Sequence, residues 1–227
     1  MNIKTTAKKM RDSLQQGIYV VINPLVKGMI AIGMTPNMVT TIGLLGNIAA
    51  AVLLVYAGIE TGDTHVNPYY LLTWAGALII GFSLFDMLDG QVARIGGMAS
   101  TFGAMYDSVL DRYCEMFTLG GISFYFLCSC QTGMALVTYL AVIGSIMVSY
   151  VRARAEGLGL ECKIGFMQRP ERVVVTALGV LLTGILGQSG VENAEIPLAI
   201  AVWLIAVFAN LTAMARIAHV KSQMSKK

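Results

Sequence analysis

Apolar runs long enough to cross a bilayer recur along this chain, separated by short polar connections. Residues 37–57, 70–88, 102–127, 134–150 and 197–215 are each long enough for a spanning helix, which needs roughly 20 mostly apolar residues. A sixth run, 173–186, is shorter. The polar sequence Arg169-Pro170-Glu171-Arg172 stands just before it and can supply its first turn, with proline near the helix start. The pattern predicts an all-α integral membrane protein with six transmembrane helices, which places both termini on one side.

Local signals refine the ends of these elements. Thr35 can cap the first span and Pro36 can occupy its first helical position. Gly96 and Gly97 break the chain after the second span, and Ser100 or Thr101 can cap the third. Spans two and three therefore form an antiparallel pair joined by a tight bend. Residues 1–34 mix Lys4, Lys8, Lys9 and Arg11 with Ile18, Tyr19, Val20, Val21 and Ile22, which is too polar to span. They suit an amphipathic helix lying on an anionic membrane surface. The expected organisation is thus a juxtamembrane segment over 1–34 and one six-helix membrane domain over 35–227.

Composition agrees with this pattern. Of 227 residues, 56% are hydrophobic and only 13% charged, with a mean hydropathy of +0.69. That is too little polar surface for a soluble globule. The positive charges are unevenly placed. Lys4 to Lys27 precede the first span, Arg94 follows the second, Arg152 to Arg172 lie between the fourth and fifth, and Arg216 to Lys227 end the chain. The alternate connections hold no lysine or arginine and carry Glu60, Asp63, Glu192 and Glu195. By the positive-inside rule both termini, and the connections near Arg94 and after Tyr150, face the cytoplasm of a cell's inner membrane.

Cys114, Cys128, Cys130 and Cys162 show no paired Cys-x-x-Cys spacing. No zinc site or disulfide frame follows, and buried apolar filling is the expected role for each. His65 and His219 fall at opposite membrane faces by this topology, so no histidine-centred catalytic set assembles.

The chemistry-bearing residues are acidic. The second span ends Asp86-Met-Leu-Asp89-Gly90-Gln-Val-Ala93-Arg94, and the third begins Gly103-Ala-Met-Tyr-Asp107-Ser-Val-Leu-Asp111. Spacings of three and four put each aspartate pair on one helix face. The bend would then bring the pairs together, with Asp86 and Asp107 each about three turns from it. An aspartate near the bilayer centre costs roughly 2.5 to 3.5 kcal/mol, and neighbouring acids repel one another. Arg94 and Arg112 cannot neutralise four acids, whereas one or two Mg²⁺ or Mn²⁺ ions can, completed by substrate phosphate. The alternative is a transporter using the cluster as a cation pathway. Gly90 and Gly103 argue against it, because a helix-interior glycine costs about 1 kcal/mol unless something uses the space.

The run Asp-x2-Asp-Gly-x2-Ala-Arg-x8-Gly-x3-Asp-x3-Asp over 86–111 resembles the signature of the CDP-alcohol phosphotransferase family, with all eight positions matching. The six-span layout and the Thr35-Pro36-Asn37-Met-Val-Thr40 entry are similar to the family as well. The resemblance implies that Asp86, Asp89 and Asp107 bind metal, with Asp111 a further ligand or the general base. It also implies that Gly90, Ala93, Arg94 and Gly103, with Asp89, line the site for the CDP-lipid. Asn37 and Thr40 would contact the same group or cap their helix. Two Mg²⁺ or Mn²⁺ ions, CDP-diacylglycerol as donor, a homodimer in the lipid bilayer and no nucleic acid are the cofactor and partner expectations.

Arginine clusters flank the loop after the fourth span: Arg152 and Arg154, then Arg169 and Arg172. Guanidinium forks suit phosphate, which indicates an acceptor alcohol already carrying one. Tyr-Val-Arg-Ala-Arg-Ala-Glu, Arg-Pro-Glu-Arg and Asp-Ser-Val-Leu-Asp-Arg are similar to the family's prokaryotic phosphatidylinositol phosphate synthase branch. That resemblance implies that Ser149, Arg152, Arg169 and Arg172 hold inositol phosphate. Glycerol phosphate and unphosphorylated inositol are the rival acceptors.

Overall fold

The computed structural model describes residues 23–62 and 66–225. Among the described residues all regular structure is helical: α1, described over 23–31, then α2 (Pro36–Glu60), α3 (Pro68–Ile95), α4 (Thr101–Cys128), α5 (Thr132–Glu156), α6 (Arg169–Gln188) and α7 (Ile196–Met224). Five of these, α2, α3, α5, α6 and α7, are long and apolar enough to cross a membrane. The chain is a multi-pass membrane protein. Helix α4 has the length, at 28 residues, but Asp107, Asp111, Arg112 and Glu115 fall within its first 15 positions and lower its apolarity. Most of the expected amphipathic segment lies outside the described residues. Its described end, α1, packs Val26 and Met29 against Val39, Leu88 and Val92.

The helix ends follow their sequence signals. Met38 donates its amide to Thr35 Oγ1 at 3.4 Å, and Gly103 donates to Ser100 Oγ at 3.0 Å, so Thr35 and Ser100 are the caps of α2 and α4. Helix α3 stops where Gly97 takes a φ of 64°, and Met98 donates back to Ala93 O at 2.9 Å. This is the left-handed glycine stop that satisfies carbonyls left over at a helix end. Helix α6 starts at Arg169 with Pro170 in its first turn, which extends the short run 173–186 to 20 residues. At the start of α7 the Leu198 amide, having no partner within its own helix, donates to Thr183 Oγ1 of α6 at 3.1 Å.

The chain forms two compact units. One takes residues up to Gly43 with Leu84–Leu110, the other Leu44–Ser83 with Asp111 onward. Helices α2, α3 and α4 run from one into the other. In the first, the small core is the α1, α2 and α3 contact just given. In the second, Leu54, Leu72, Leu119, Ile122, Tyr125, Phe126, Val180, Leu198 and Ile205 are buried in one apolar cluster, and α7 packs against both α5 and α6. Glycines allow the closest approaches there. A Cβ on Gly76 would lie 2.7 Å from Leu181 N, and one on Gly184 would lie 2.4 Å from Thr73 N. Helices α3 and α6 thus meet nearly backbone to backbone.

The cysteine expectation needs correction for two positions. Cys114 and Cys162 are buried, but Cys128 and Cys130 are exposed. They end α4 and enter the turn before α5, where Cys130 takes a φ of 58°.

The glycine contacts give a stability test. Gly184→Val should lower stability by about 1–3 kcal/mol through overpacking against α3. Gly120→Ala, whose Cβ meets nothing within 4 Å, should raise it by about 0.5–1 kcal/mol. Thermal melting of the detergent-solubilised protein checks both, and equal shifts would refute the close approach.

Candidate active site

A pocket of about 210 Å³ lies where the start of α2, the end of α3 and the start of α4 converge, all within the first unit. Asn37, Thr40, Asp89, Gly90, Ala93, Gly103 and Asp107 line it. The sequence pattern places all seven. Met98, Ala99 and Ser100, from the glycine bend, also line it, and sequence reasoning missed them as site residues. The position of the bend between the two acidic helix ends is the signal that could have found them.

Asp89 is 4% exposed. Thr40 Oγ1 donates to its Oδ2 at 2.7 Å, and the carboxyl of Asp107 lies within hydrogen-bonding contact of it. Thr40 therefore does more than end a helix: it orients one oxygen of a buried carboxylate. Both acids face a pocket whose lining contains no lysine or arginine. Helix α3 keeps room beside them, since a Cβ on Gly90 would meet only Arg94 Nη2, at 3.8 Å. Gly103 is tighter, with Ser100 Oγ at 3.1 Å and Asn37 Oδ1 at 3.4 Å from such a Cβ. Arg94 itself is exposed, and its Nε donates to Gly90 O at 3.1 Å. Asp86, one turn earlier on α3, is half-buried and outside the pocket's lining.

This donor set fits a hard divalent cation. Two adjacent carboxylates and neighbouring hydroxyl and amide oxygens are the ligands Mg²⁺ and Mn²⁺ prefer. Among the described residues no three His, Cys, Asp or Glu side chains are grouped closely enough to hold one ion. Two carboxylates suffice where water and a substrate phosphate complete the shell, as is usual for Mg²⁺.

The expected acceptor residues fall in the second unit, and the structure gives them different surroundings. Ser149 is half-buried on α5. Arg152 pairs with Glu156 on its own helix at 2.9 Å. Arg169 meets Asp111 at 2.7 Å, with Arg112 at 4.0 Å from the same carboxylate. Arg172 is 1% exposed and forks onto both oxygens of Glu115, with Nη2 to Oε2 at 2.9 Å. Arg112, Arg169 and Arg172 thus gather around two acids, leaving one positive charge in excess. Arg216, read from the sequence only as a positive-inside charge, is buried and donates to Ile164 O at 2.8 Å and Val148 O at 2.6 Å. It ties α7 to α5 and to the loop that precedes α6.

Comparison with known proteins places this geometry. The sequence model of a family described as CDP-alcohol phosphatidyltransferase matches residues 33–214. The phosphatidylinositol phosphate synthase of Mycobacteroides abscessus is 32% identical over 203 residues, covering 89% of this chain and 84% of its own. That of Corynebacterium glutamicum is 33% identical over 211 residues, covering 92% and 88%. The crystal structure of the Mycobacterium tuberculosis phosphatidylinositol phosphate synthase with CDP-DAG bound superposes with a TM-score of 0.74 at 28% identity, covering 88% of this chain and 93% of that one. The same enzyme in complex with manganese and citrate gives a TM-score of 0.75.

Thr40→Val should destabilise the folded protein by about 1–3 kcal/mol, because a buried carboxylate loses a hydrogen-bond donor and keeps its burial. Thermal melts of the resting protein check this. A wild-type melting temperature would mean that the Thr40 hydroxyl does not satisfy Asp89.

Proposed function

The chain belongs to the CDP-alcohol phosphatidyltransferase family, and from that premise we propose that it transfers the phosphatidyl group of CDP-diacylglycerol to a hydroxyl of inositol phosphate, releasing CMP and forming phosphatidylinositol phosphate. The observation that carries this reading is the buried Asp89, adjoining Asp107 at a pocket roomy enough for a phosphate and lined by no cation. Family membership in an enzyme class sets the transporter alternative aside.

Asp89 and Asp107 would hold Mg²⁺ or Mn²⁺, joined by Asp86 and Asp111 on the helical spacings of three and four. A manganese-bound solved relative supports a divalent ion. Bound there, such ions neutralise charge on the phosphoryl oxygens and on the departing CMP phosphate. The protein's own groups do the rest. Gly90, Ala93 and Gly103 leave space for the nucleotide half of the donor, Asn37 lines the same pocket, and Arg94 supplies a cation beside it. Asp111 takes the proton of the acceptor hydroxyl as its oxygen attacks the phosphorus bonded to the diacylglycerol oxygen. The bond from that phosphorus to CMP then breaks, and CMP leaves. Ser149, Arg152, Arg169 and Arg172 form the acceptor region, whose excess positive charge favours an alcohol that already bears phosphate.

The same reading makes α4 a sixth span. At 28 residues it reaches about 42 Å, more than a hydrocarbon core of about 30 Å. The distribution of lysine and arginine supports cytoplasmic termini and a cytoplasmic pocket mouth. The small residues along several spans are compatible with a homodimer. The domain division at residues 34 and 35 belongs to this reading too, with 1–34 as the surface segment.

Two outcomes test the proposal on purified protein. With CDP-diacylglycerol and Mg²⁺ or Mn²⁺, inositol phosphate should drive CMP release while inositol and glycerol phosphate should not, and EDTA should abolish turnover. Release with glycerol phosphate alone would overturn the acceptor. Asp111→Asn should lower kcat by about 10²–10⁴-fold while CDP-lipid binding is largely retained. Loss of nucleotide binding in that variant would count against its role as base.

A further inference from the structure

The connection between α5 and α6, residues 157–168, contains no helix or strand. Loops of that length without regular structure are uncommon in compact domains, and their backbone groups still need partners. Its first part folds back on α5, with Leu160 donating to Ala155 O at 3.0 Å. From Glu161 to Met167 the partners come from side chains of α7. Gln223 Nε2 donates to Glu161 O at 2.8 Å, Arg216 Nε to Ile164 O at 2.8 Å, and Thr212 Oγ1 accepts the Met167 amide at 3.4 Å. Between these bonds Val220 packs on Leu160 and Cys162. Thr212, Arg216, Val220 and Gln223 are spaced by four, four and three, so they share one helix face. The loop runs antiparallel along that stripe, strapped to it.

The last tie of the strap has a fixed sense. A carbonyl oxygen can only accept, so the Gln223 amide nitrogen is the donor to Glu161 O. The same nitrogen lies 2.7 Å from His219 Nε2, one turn back on α7, and that ring nitrogen therefore accepts. His219 and Glu161 O hold the amide from two sides. Beside Glu161, Cys162 is 0% exposed, which shows how closely the loop lies on α7.

The two ends of this loop carry the arginine clusters, Arg152 and Arg154 before it, Arg169 and Arg172 after it. The far end of the strap reaches the second cluster directly: Met167, whose amide is held by Thr212, accepts Arg172 Nη1 on its carbonyl at 3.1 Å. We infer that Gln223, oriented by His219, is a positioning residue for the acceptor: it pins the loop to the polar end of α7 and so sets the spacing of the two arginine clusters that receive the acceptor's phosphate. The inference rests on the acceptor region proposed above. It brings into the reaction the end of α7, which the sequence pattern marked only by its positive charges.

The test uses the full-length detergent-solubilised protein with Cys128→Ser and Cys130→Ser, so that the exposed thiols do not mask the buried ones. Gln223→Glu is close to isosteric and, when ionised, can only accept. It should raise the KM for inositol phosphate about threefold to tenfold, the net worth of one hydrogen bond, with kcat and the KM for CDP-diacylglycerol within about twofold. Maleimide labelling of Cys162, located by peptide mapping, should quicken by a similar factor, while Cys114 on α4 stays protected. Gln223→Lys, which keeps a donor at that place, should recover most of both changes, and no recovery would overturn the inference. So would an unchanged acceptor KM in Gln223→Glu, whether or not Cys162 became reactive, or a loss confined to kcat. Equal acceleration at Cys114 would mark general loosening and overturn it as well. Should Gln223→Glu fail to fold, Gln223→Ala removes the amide without setting a charge against the loop, and the same readings decide. If glycerol phosphate rather than inositol phosphate drove CMP release, the proposed acceptor would fall, and its own KM would test the strap in the same way. No CMP release from the wild type with any acceptor would overturn the proposed function and this inference with it, even where labelling showed Gln223 holding the loop down.

Discussion

Asp89 takes a 2.7 Å hydrogen bond from Thr40 and adjoins a second carboxyl at a helix end that is otherwise apolar enough to enter a membrane. Two like charges brought together in a poorly hydrated place repel, and each also loses solvation. One threonine hydroxyl offsets only a part of that cost. The arrangement makes physical sense when positive charge arrives with the ligand, as divalent ions accompanying an anionic nucleotide pyrophosphate would bring it. Much else at this end of the chain follows from keeping that place open. The bend at Gly97 turns α4 back so that its first turns face the last turns of α3, and Gly90 adds no side chain to the pocket wall. Ser100 both caps α4 and contributes to the pocket wall.

The second unit handles charge in the opposite way. There Asp111 and Glu115 are met by arginines from the protein itself, and the more buried pair is bonded on both carboxylate oxygens. Replacing such a pair by apolar residues is often neutral for stability, so its contribution is sought in geometry. Arg172 reaches Glu115 on α4 and the backbone of the preceding loop, while Arg216 reaches that loop from α7 and also α5. Thr212 adds a 3.4 Å bond from the Met167 amide on the same side. Three helices and a connection are thereby held in one register around the start of α6, where Arg169 emerges toward Asp111.

Much of this was legible in the residue pattern, for identifiable reasons. Span positions follow from apolar run length, which is a local property. The caps at Thr35 and Ser100 and the stop at Gly97 follow from groups acting within four residues of themselves. The lengthening of α6 was readable because Pro170 can only begin a helix there. The pocket lining was readable because the signature's spacings project onto helix faces. Pairings between distant residues were not. Nothing local distinguishes Arg172, buried on Glu115 from 57 residues away, from Arg152, which answers its own helix neighbour Glu156. Both satisfy the same positive-inside bias, and so does Arg216. Cys128 and Cys130 misled for a related reason: an apolar residue at a helix end is buried only if a partner covers it.

The contrast between the two charge systems bears on how one helix can serve both. Helix α4 carries Asp107 toward a cation-free pocket and, one turn later, Asp111 toward Arg169 and Arg112. A pocket lining without arginine leaves metal ions less competition for the oxygens of the acids that face it. An acid meant to accept a proton from a hydroxyl needs a fixed orientation and a partner that keeps it ionised between turnovers. The bidentate grip on Glu115 occupies both of its oxygens and leaves that acid suited to neither task. Over about two turns of α4 the surroundings of the acids therefore change, from Asp107 at the pocket wall, through Asp111 beside Arg169, to Glu115 gripped on both oxygens.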